Sequence, residues 1–190
     1  MAAISITTPV EDLKTVFDNP KEVYFNPTAT DDIAALSALD KMLPIIESQA
    51  TIDTGSATVN RTKLIDGRTW ASFATSGDPD IALQVASIDG TITDLFLNKA
   101  GAAITMTNTF KGKNFAGQGY NLSVKKVTGS LLYVSQTGSE LILMPNVEIY
   151  ASFNAGGSET AAYFNLQINP MENENGVAIA YLTETVAPGG

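Results

Sequence analysis

Residues 81–101 read IALQVASIDGTITDLFLNKAG, and their periodicity decides the fold class. Ile81, Leu83 and Val85 recur at every second position, which puts three branched apolar side chains on one face of a strand. Asp89-Gly90 supplies a tight turn. Thr91 followed by Asp94 is the Ser/Thr-x-x-acid pattern of a capping box, in which each side chain accepts from an orphan N–H of the first helical turn. Ile92, Leu95, Phe96 and Lys99 continue at helical spacing, and Gly101 falls where a left-handed C-cap is expected. The stretch predicts a buried strand, a turn and a short capped helix laid against a β-domain.

Towards the C-terminus, alternation continues. Ala103–Phe110 reads as a strand, and the glycine-rich 111–119 (KGKNFAGQG) turns the chain. Tyr120–Thr128 alternates, with Leu122 and Val124 expected inward and Ser123 and Lys125 outward. Leu131–Ser135 and Leu141–Met144 flank QTGSE, a hairpin signal. Pro145-Asn146 is expected to break that run before Val147–Phe153. Phe164, Leu166 and Ile168 alternate with Tyr163, Asn165 and Gln167. The last strand, Val177–Glu184, opposes Val177, Ile179 and Tyr181 to a smaller face of Ala178 and Ala180. Many short strands separated by turn signals predict a sandwich or barrel.

Towards the N-terminus the pattern loosens. Residues 1–30 contain Pro9, Pro20 and Pro27 among scattered apolar side chains and read as an arm that docks on its own domain or a neighbour. Asp31–Leu43 reads as a helix: two aspartates favour its N-terminus, Ile33, Leu36 and Leu43 share a side, and Pro44 stops it. In 48–66 (SQATIDTGSATVNRTKLID), Thr58, Asn60 and Thr62 line one face while Arg61 and Lys63 line the other. A strand polar on both faces has weakly specified register. It is either an exposed hairpin or loop, or an extended arm that adds to a neighbour's sheet. Residues 67–80 (GRTWASFATSGDPD) hold the only tryptophan. Trp70 and Phe73 mark either a sugar-binding platform or core or interface anchors, and the anchor reading is preferred.

Composition excludes more than any motif does. The 190 residues contain no cysteine and no histidine. That removes disulfides, zinc–thiolate sites and thiol nucleophiles, and with histidine the commonest general base and any Ser-His-Asp triad. The N-terminus lacks the basic and apolar regions of a signal peptide, and no apolar run approaches a membrane span; a soluble protein made in the cytoplasm is expected. The formal charge is −9 and is unevenly spread. Residues 1–94 carry fourteen acids and six bases, 95–139 five lysines and no acid, and 140–190 six acids and no base. The blocks are either a solvated surface or the two sides of a head-to-tail interface, which generates rings. Net acidity speaks against a nucleic-acid grip.

The catalytic and ligand motifs fail on inspection. Ser123–Lys126 matches Ser-x-x-Lys but lies in an alternating strand without its partner motifs. Gly112 and Gly117 have Walker spacing, but Gln118 and Gly119 replace the Lys-Ser/Thr. Asp78 with Asp80, or Asp89 with Asp94, lack the calcium-loop pattern and are better explained by turns and capping. No carboxylate pair is singled out for glycoside hydrolysis. Asn60-Arg-Thr62 and Asn121-Leu-Ser123 are sequons, idle without secretion.

The layout (arm 1–30, polar extension 48–66, strand–helix unit 81–101 and a β-rich remainder ending at Tyr181–Thr185) resembles that of tail tube proteins of long-tailed bacteriophages. The helix at Asp31–Leu43 departs from it. The resemblance implies a mainly β, sandwich- or barrel-like domain over 31–190, with one or two short flanking helices. It also implies an extended polar hairpin or loop within 48–80, an N-terminal arm, and a C-terminal tail at 185–190. It further implies a virion protein whose six-subunit rings stack into a tube that DNA traverses without specific binding. Its partners would be itself and other tail proteins, with no membrane insertion, no cofactor or metal and no catalysis. The candidate subunit-interface residues are Thr58, Asn60, Arg61, Lys63, Trp70, Phe73, Lys111, Lys113, Lys125 and Lys126. The alternatives are a carbohydrate-binding or adhesin-like β-sandwich stacking sugars on Trp70, Tyr120 or Tyr150, and another virion component such as a capsid-decorating or tail-completion protein.

Overall fold

A computed structural model of the chain describes residue 17 and residues 20–86, 90–121, 123–157 and 161–185, with Ser48 described by its backbone only. Asp89 of the expected turn, Leu122, most of the expected N-terminal arm and residues 186–190 lie outside the described residues. The chain is mainly β. In order, its elements are β1 (Pro20–Asn26), α1 (Ile33–Leu36), β2 (Met42–Leu43), β3 (Ile45–Asp53), β4 (Thr58–Lys63), β5 (Thr69–Thr75) and β6 (Asp80–Val85). Then follow α2 (Gly90–Phe96), β7 (Asn98–Lys99), β8 (Ile104–Thr105), β9 (Ala116–Gly117) and β10 (Tyr120–Asn121). The last four are β11 (Lys126–Ser135), β12 (Glu140–Asn154), β13 (Tyr163–Pro170) and β14 (Ala180–Thr183).

The described residues fall into two compact units, 17–43 with 129–147 and 171–185, and 44–128 with 148–170. In the first, β1 pairs antiparallel with β2 on one side and β11 on the other, and β14 pairs with the first half of β12. Tyr24, Leu36, Leu132 and Leu143 form its core cluster, with Ala180 and Leu182 of β14 packed against it. Residues 20–26 of the expected arm are therefore a core strand, because Val23, Tyr24 and Phe25 find apolar cover on both faces of the sheet. Phe25 lies so close to β11 that a Cβ on Gly129 would stand 2.6 Å from its ring. The QTGSE hairpin forms as expected: Gly138 N–H donates to Ser135 O (3.1 Å), and β11 and β12 are neighbours.

The helix expected over Asp31–Leu43 is one turn long. Asp32 caps it by accepting from Ala34 N–H at 3.0 Å. Past that turn the Ala35 carbonyl accepts from Asn26 Nδ2 (3.2 Å) and Lys41 Nζ (2.6 Å) rather than from a helical N–H. The chain continues as a 3-10 turn at Leu39–Lys41 and buries Leu43 by pairing it with Val23 in β2. The expected break at Pro145-Asn146 does not occur either, and β12 runs through it. The carbonyls there bond to neighbouring loops: Pro145 O accepts from Thr30 N–H (3.0 Å) and Asn146 O from Met171 N–H (2.9 Å).

In the second unit β6 is the central strand, flanked by β13 and β3. Ile81, Leu83 and Val85 are fully buried, opposite Ile168, Leu166 and Phe164 of β13. Phe164 also meets Phe96 of α2 (ring centroids 5.6 Å) and Phe153 (5.3 Å). Both period-two readings hold. The helix is shorter than its pattern: Gly90 opens it and Lys99 falls in β7. Thr91 sits inside the first turn rather than at the cap, and both Asp94 carboxylate oxygens are taken, by Tyr120 (2.6 Å) and Lys99 (2.7 Å). Gly101 has φ +66 but lies beyond β7, not at the helix end. Two further expectations fail: Ala103–Phe110 contributes only two residues of strand, and Val124, expected inward, is 75% exposed.

Candidate functional site

The chain leaves the β3–β6 ladder at the pair Asp53–Asp80 and returns to it after a ribbon made of β4 and β5. Asp53 Oδ1 accepts from Gly55 N–H at 2.8 Å, starting the exit turn. Gly55 has φ +83, and a Cβ on it would lie 2.6 Å from Gly77 O. A Cβ on Gly77 would lie 2.7 Å from Ser56 O. The outgoing and returning backbones thus touch at a waist that admits no side chain.

Beyond the waist, Thr58, Asn60 and Thr62 stand opposite Thr75, Phe73 and Ala71, and Arg61 opposite Ser72. The register then slips: Lys63 pairs with Thr69, which leaves Trp70 as the extra, bulged residue. A bulge re-aims the side chain it carries, and Trp70 is 71% exposed. Phe73 is 65% exposed, and every residue of β4 is exposed. The tip closes through Leu64 N–H to Arg68 O (2.8 Å) and Gly67 N–H to Leu64 O (2.9 Å). Asp66 accepts from Arg68 Nε at 2.6 Å, and that guanidinium holds its carboxyl below the usual range. Ile65 at the tip is fully exposed.

The structure therefore collects six of the ten sequence-derived candidates on one ribbon: Thr58, Asn60, Arg61, Lys63, Trp70 and Phe73. The polar extension expected at 48–66 is redistributed, its first residues belonging to β3 and the hairpin running to Thr75. Leu64 and Ile65 were missed, although an apolar pair beside an Asp-Gly turn was a readable signal.

Lys111 and Lys113 belong to a second exposed hairpin. Its β8–β9 ladder is prolonged by Met106 N–H to Phe115 O (3.0 Å), and its tip is a turn between Phe110 and Lys113. Lys111 (φ +50) and Gly112 (φ +74) take the two left-handed positions of a type I′ turn. Lys125 and Lys126 are instead committed within the chain. Lys125 Nζ donates to Asp94 O (2.7 Å) and Leu97 O (3.3 Å), neutralising the C-terminal end of α2. Lys126 pairs with Glu148 at 2.8 Å, which draws the lysine up and the carboxyl down.

The other aromatic platforms are engaged. Tyr120 donates to Asp94 and Tyr150 to Glu148 (2.9 Å), and each carboxylate raises its phenol. A cleft of about 640 Å³ beside Asp94 is lined by Thr93, Gln118, Tyr120 and Phe153, but Gln118 Nε2 is spent on Gly119 O (3.1 Å) and Gly101 O (3.3 Å). Among the described residues, no three acidic side chains converge on a metal position. No described helix is long and apolar enough to cross a membrane. No protein-family model, curated protein or solved structure matches this chain significantly.

Proposed function

We propose that this chain is a structural subunit that assembles with copies of itself into stacked rings, the virion tail-tube role its layout resembles, and that it carries no catalytic activity. The observation that supports this best is the β4–β5 hairpin. A lone two-stranded ribbon is at best marginally stable in water, yet this one exposes Trp70, Phe73, Leu64 and Ile65. A neighbouring copy supplies the burial that the ribbon lacks in its own chain. Arg61 and Lys63 bring positive charge to the arm of a chain whose net charge is −9. An arm that grips a different surface of the next copy makes a heterologous contact, which closes into rings when the rotation allows. The same net acidity repels phosphate and suits a conduit in which DNA slides without being held.

Negative-stain electron microscopy of the purified protein tests this reading. Rings or tubes with a central hole are expected. A dispersed single-chain protein that binds a glycan, and loses that binding on Trp70→Ala, would replace it with the carbohydrate-binding reading, for which Trp70 is the one freely exposed platform among the three named above.

A further inference from the structure

We propose that the apolar groove on the β8–β9 hairpin is a socket for a second copy of this chain, and that its occupant is the turn carrying Leu39 and Asp40. The inference rests on the self-assembly reading and assigns one of its contacts.

The groove is a shallow, open concavity of about 260 Å³ lined by Ile104, Met106, Phe115 and residues 116–118. Those three side chains are exposed, and Phe110 leans on Phe115 with ring centroids 6.4 Å apart. The rim is cationic. Lys111 Nζ sits 5.6 Å from the centre of the Phe110 ring, and Lys113 is exposed at the other end of the same turn. Neither lysine has a carboxylate partner among the described residues, and residues 95–139 contain no acid to give them one. The chemistry asks for an apolar side chain followed at once by a carboxylate.

The β4–β5 arm meets that requirement only in part: Ile65 is followed by Asp66, but Asp66 is already paired with Arg68 at 2.6 Å. Its tip is apolar, but Arg61, Lys63 and Arg68 would face Lys111 and Lys113, and like charges across an interface are costly. Leu39 does meet it. It is 79% exposed on a 3-10 turn closed by Lys41 N–H to Ala38 O at 3.0 Å. Lys41 folds its ammonium back onto Ala35 O, so Asp40 is left as the outward charge, exposed and without an ion pair among the described residues. Socket and knob are different segments, so each copy offers one and receives the other. Such a contact is heterologous and propagates from copy to copy.

The chain has no cysteine, which makes site-directed cross-linking direct. Full-length Leu39→Cys and Met106→Cys proteins would be prepared separately, mixed, and treated with a short bis-maleimide. A cross-linked dimer is expected from the mixture and not from either protein alone. In sedimentation velocity, Asp40→Lys and the pair Lys111→Glu with Lys113→Glu should each weaken assembly by about tenfold. Combining all three substitutions in one chain should restore it, a rescue that misfolding does not produce. If the unmodified protein assembles but shows neither the cross-link nor sensitivity to the charge changes, the socket is wrong and the assembly reading stands. If the unmodified protein stays a single chain at every concentration, both fall.

Discussion

Gly55 and Gly77 meet backbone to backbone, with the carbonyl oxygen of Gly77 only 2.6 Å from where a Cβ of Gly55 would be. This crossing lets two adjacent strands of the β3–β6 ladder release an exposed ribbon and recover it in register at Asp53–Asp80. Contacts under 3 Å to backbone leave no room for a methyl group, so the waist fixes how the ribbon departs from the sheet. Gly77→Ala is expected to lower thermal stability modestly, by about 2–4 °C per kcal/mol of strain, and to weaken assembly out of proportion to that loss. Sedimentation velocity paired with a circular-dichroism melt separates the two effects.

Trp70 is the exposed, bulged residue of β5. Removing its side chain leaves no cavity inside the chain, so Trp70→Ala should change stability by no more than about 0.5 kcal/mol. Assembly should weaken by tenfold or more, as truncating a buried interface tryptophan typically does. A melt shifted by many degrees would show that the indole packs within its own chain.

Gly129 is constrained in the opposite sense, inside a core. A Cβ there would run into the Asn26 carbonyl and the Phe25 ring, on the strand paired with its own. Gly129→Ala is expected to cost about 3 kcal/mol or more, seen as a large drop in melting temperature. If the variant melts like the parent, the placement of Phe25 is wrong.

The Tyr133 hydroxyl is fully buried and has no hydrogen-bond partner among the described residues, and burial drives its phenol upward. An unmet buried hydroxyl costs roughly 1–3 kcal/mol. Tyr133→Phe should therefore be neutral or stabilising, with a melting temperature equal to or above that of the parent. A loss of more than about 1 kcal/mol would reveal a partner for the hydroxyl.

Stability against pH should be flat through neutrality and fall at both ends. On the acid side, Glu140 Oε2 accepts from Thr137 (2.6 Å) and Ser135 (2.7 Å), which holds its carboxyl below the ordinary 4.5. Lys126 does the same for Glu148, and Lys99 with Tyr120 for Asp94. A lowered folded pKa means the unfolded state binds more protons below the ordinary value. These contributions are thus present above it and are lost as pH falls through the folded value. On the alkaline side, Tyr24, Tyr120 and Tyr150 are raised by neighbouring carboxylates and Lys126 by Glu148. Those contributions are present below the ordinary values of 10.0 and 10.5 and are lost as pH rises through the folded ones. With no histidine or cysteine, melting temperature should be level between about pH 5.5 and about pH 9, and Glu140→Gln should make the acid limb shallower.

The sequence was most legible where burial on one face imposes a strict period. Ile81, Leu83 and Val85, and likewise Phe164, Leu166 and Ile168, alternate because every second side chain enters the core. It was least legible where polar contacts, rather than burial of one face, accompany a change in the backbone. The helical period over Asp31–Leu43 does not reveal that the helix stops after one turn, with Asn26 and Lys41 on the Ala35 carbonyl. Nothing at Pro145 reveals that β12 will run through it, with Thr30, more than a hundred residues away, donating to its carbonyl. The hairpin was readable as a two-sided polar stretch. Its limits, its bulge at Trp70 and its glycine waist depend on register and on backbone contact between residues 55 and 77. Lys125 and Lys126 looked like free interface charges because their partners, the end of α2 and Glu148, lie more than twenty residues away in sequence.

The most direct test of self-assembly through the β4–β5 arm is sedimentation velocity on two proteins, the full chain and one in which residues 58–75 are replaced by a short Gly-Ser link. The full chain should sediment as a concentration-dependent oligomer, and the shortened one as a single chain with an almost unchanged melt. A full chain that remains single at all concentrations, or a shortened chain that assembles as well as the parent, would contradict the account.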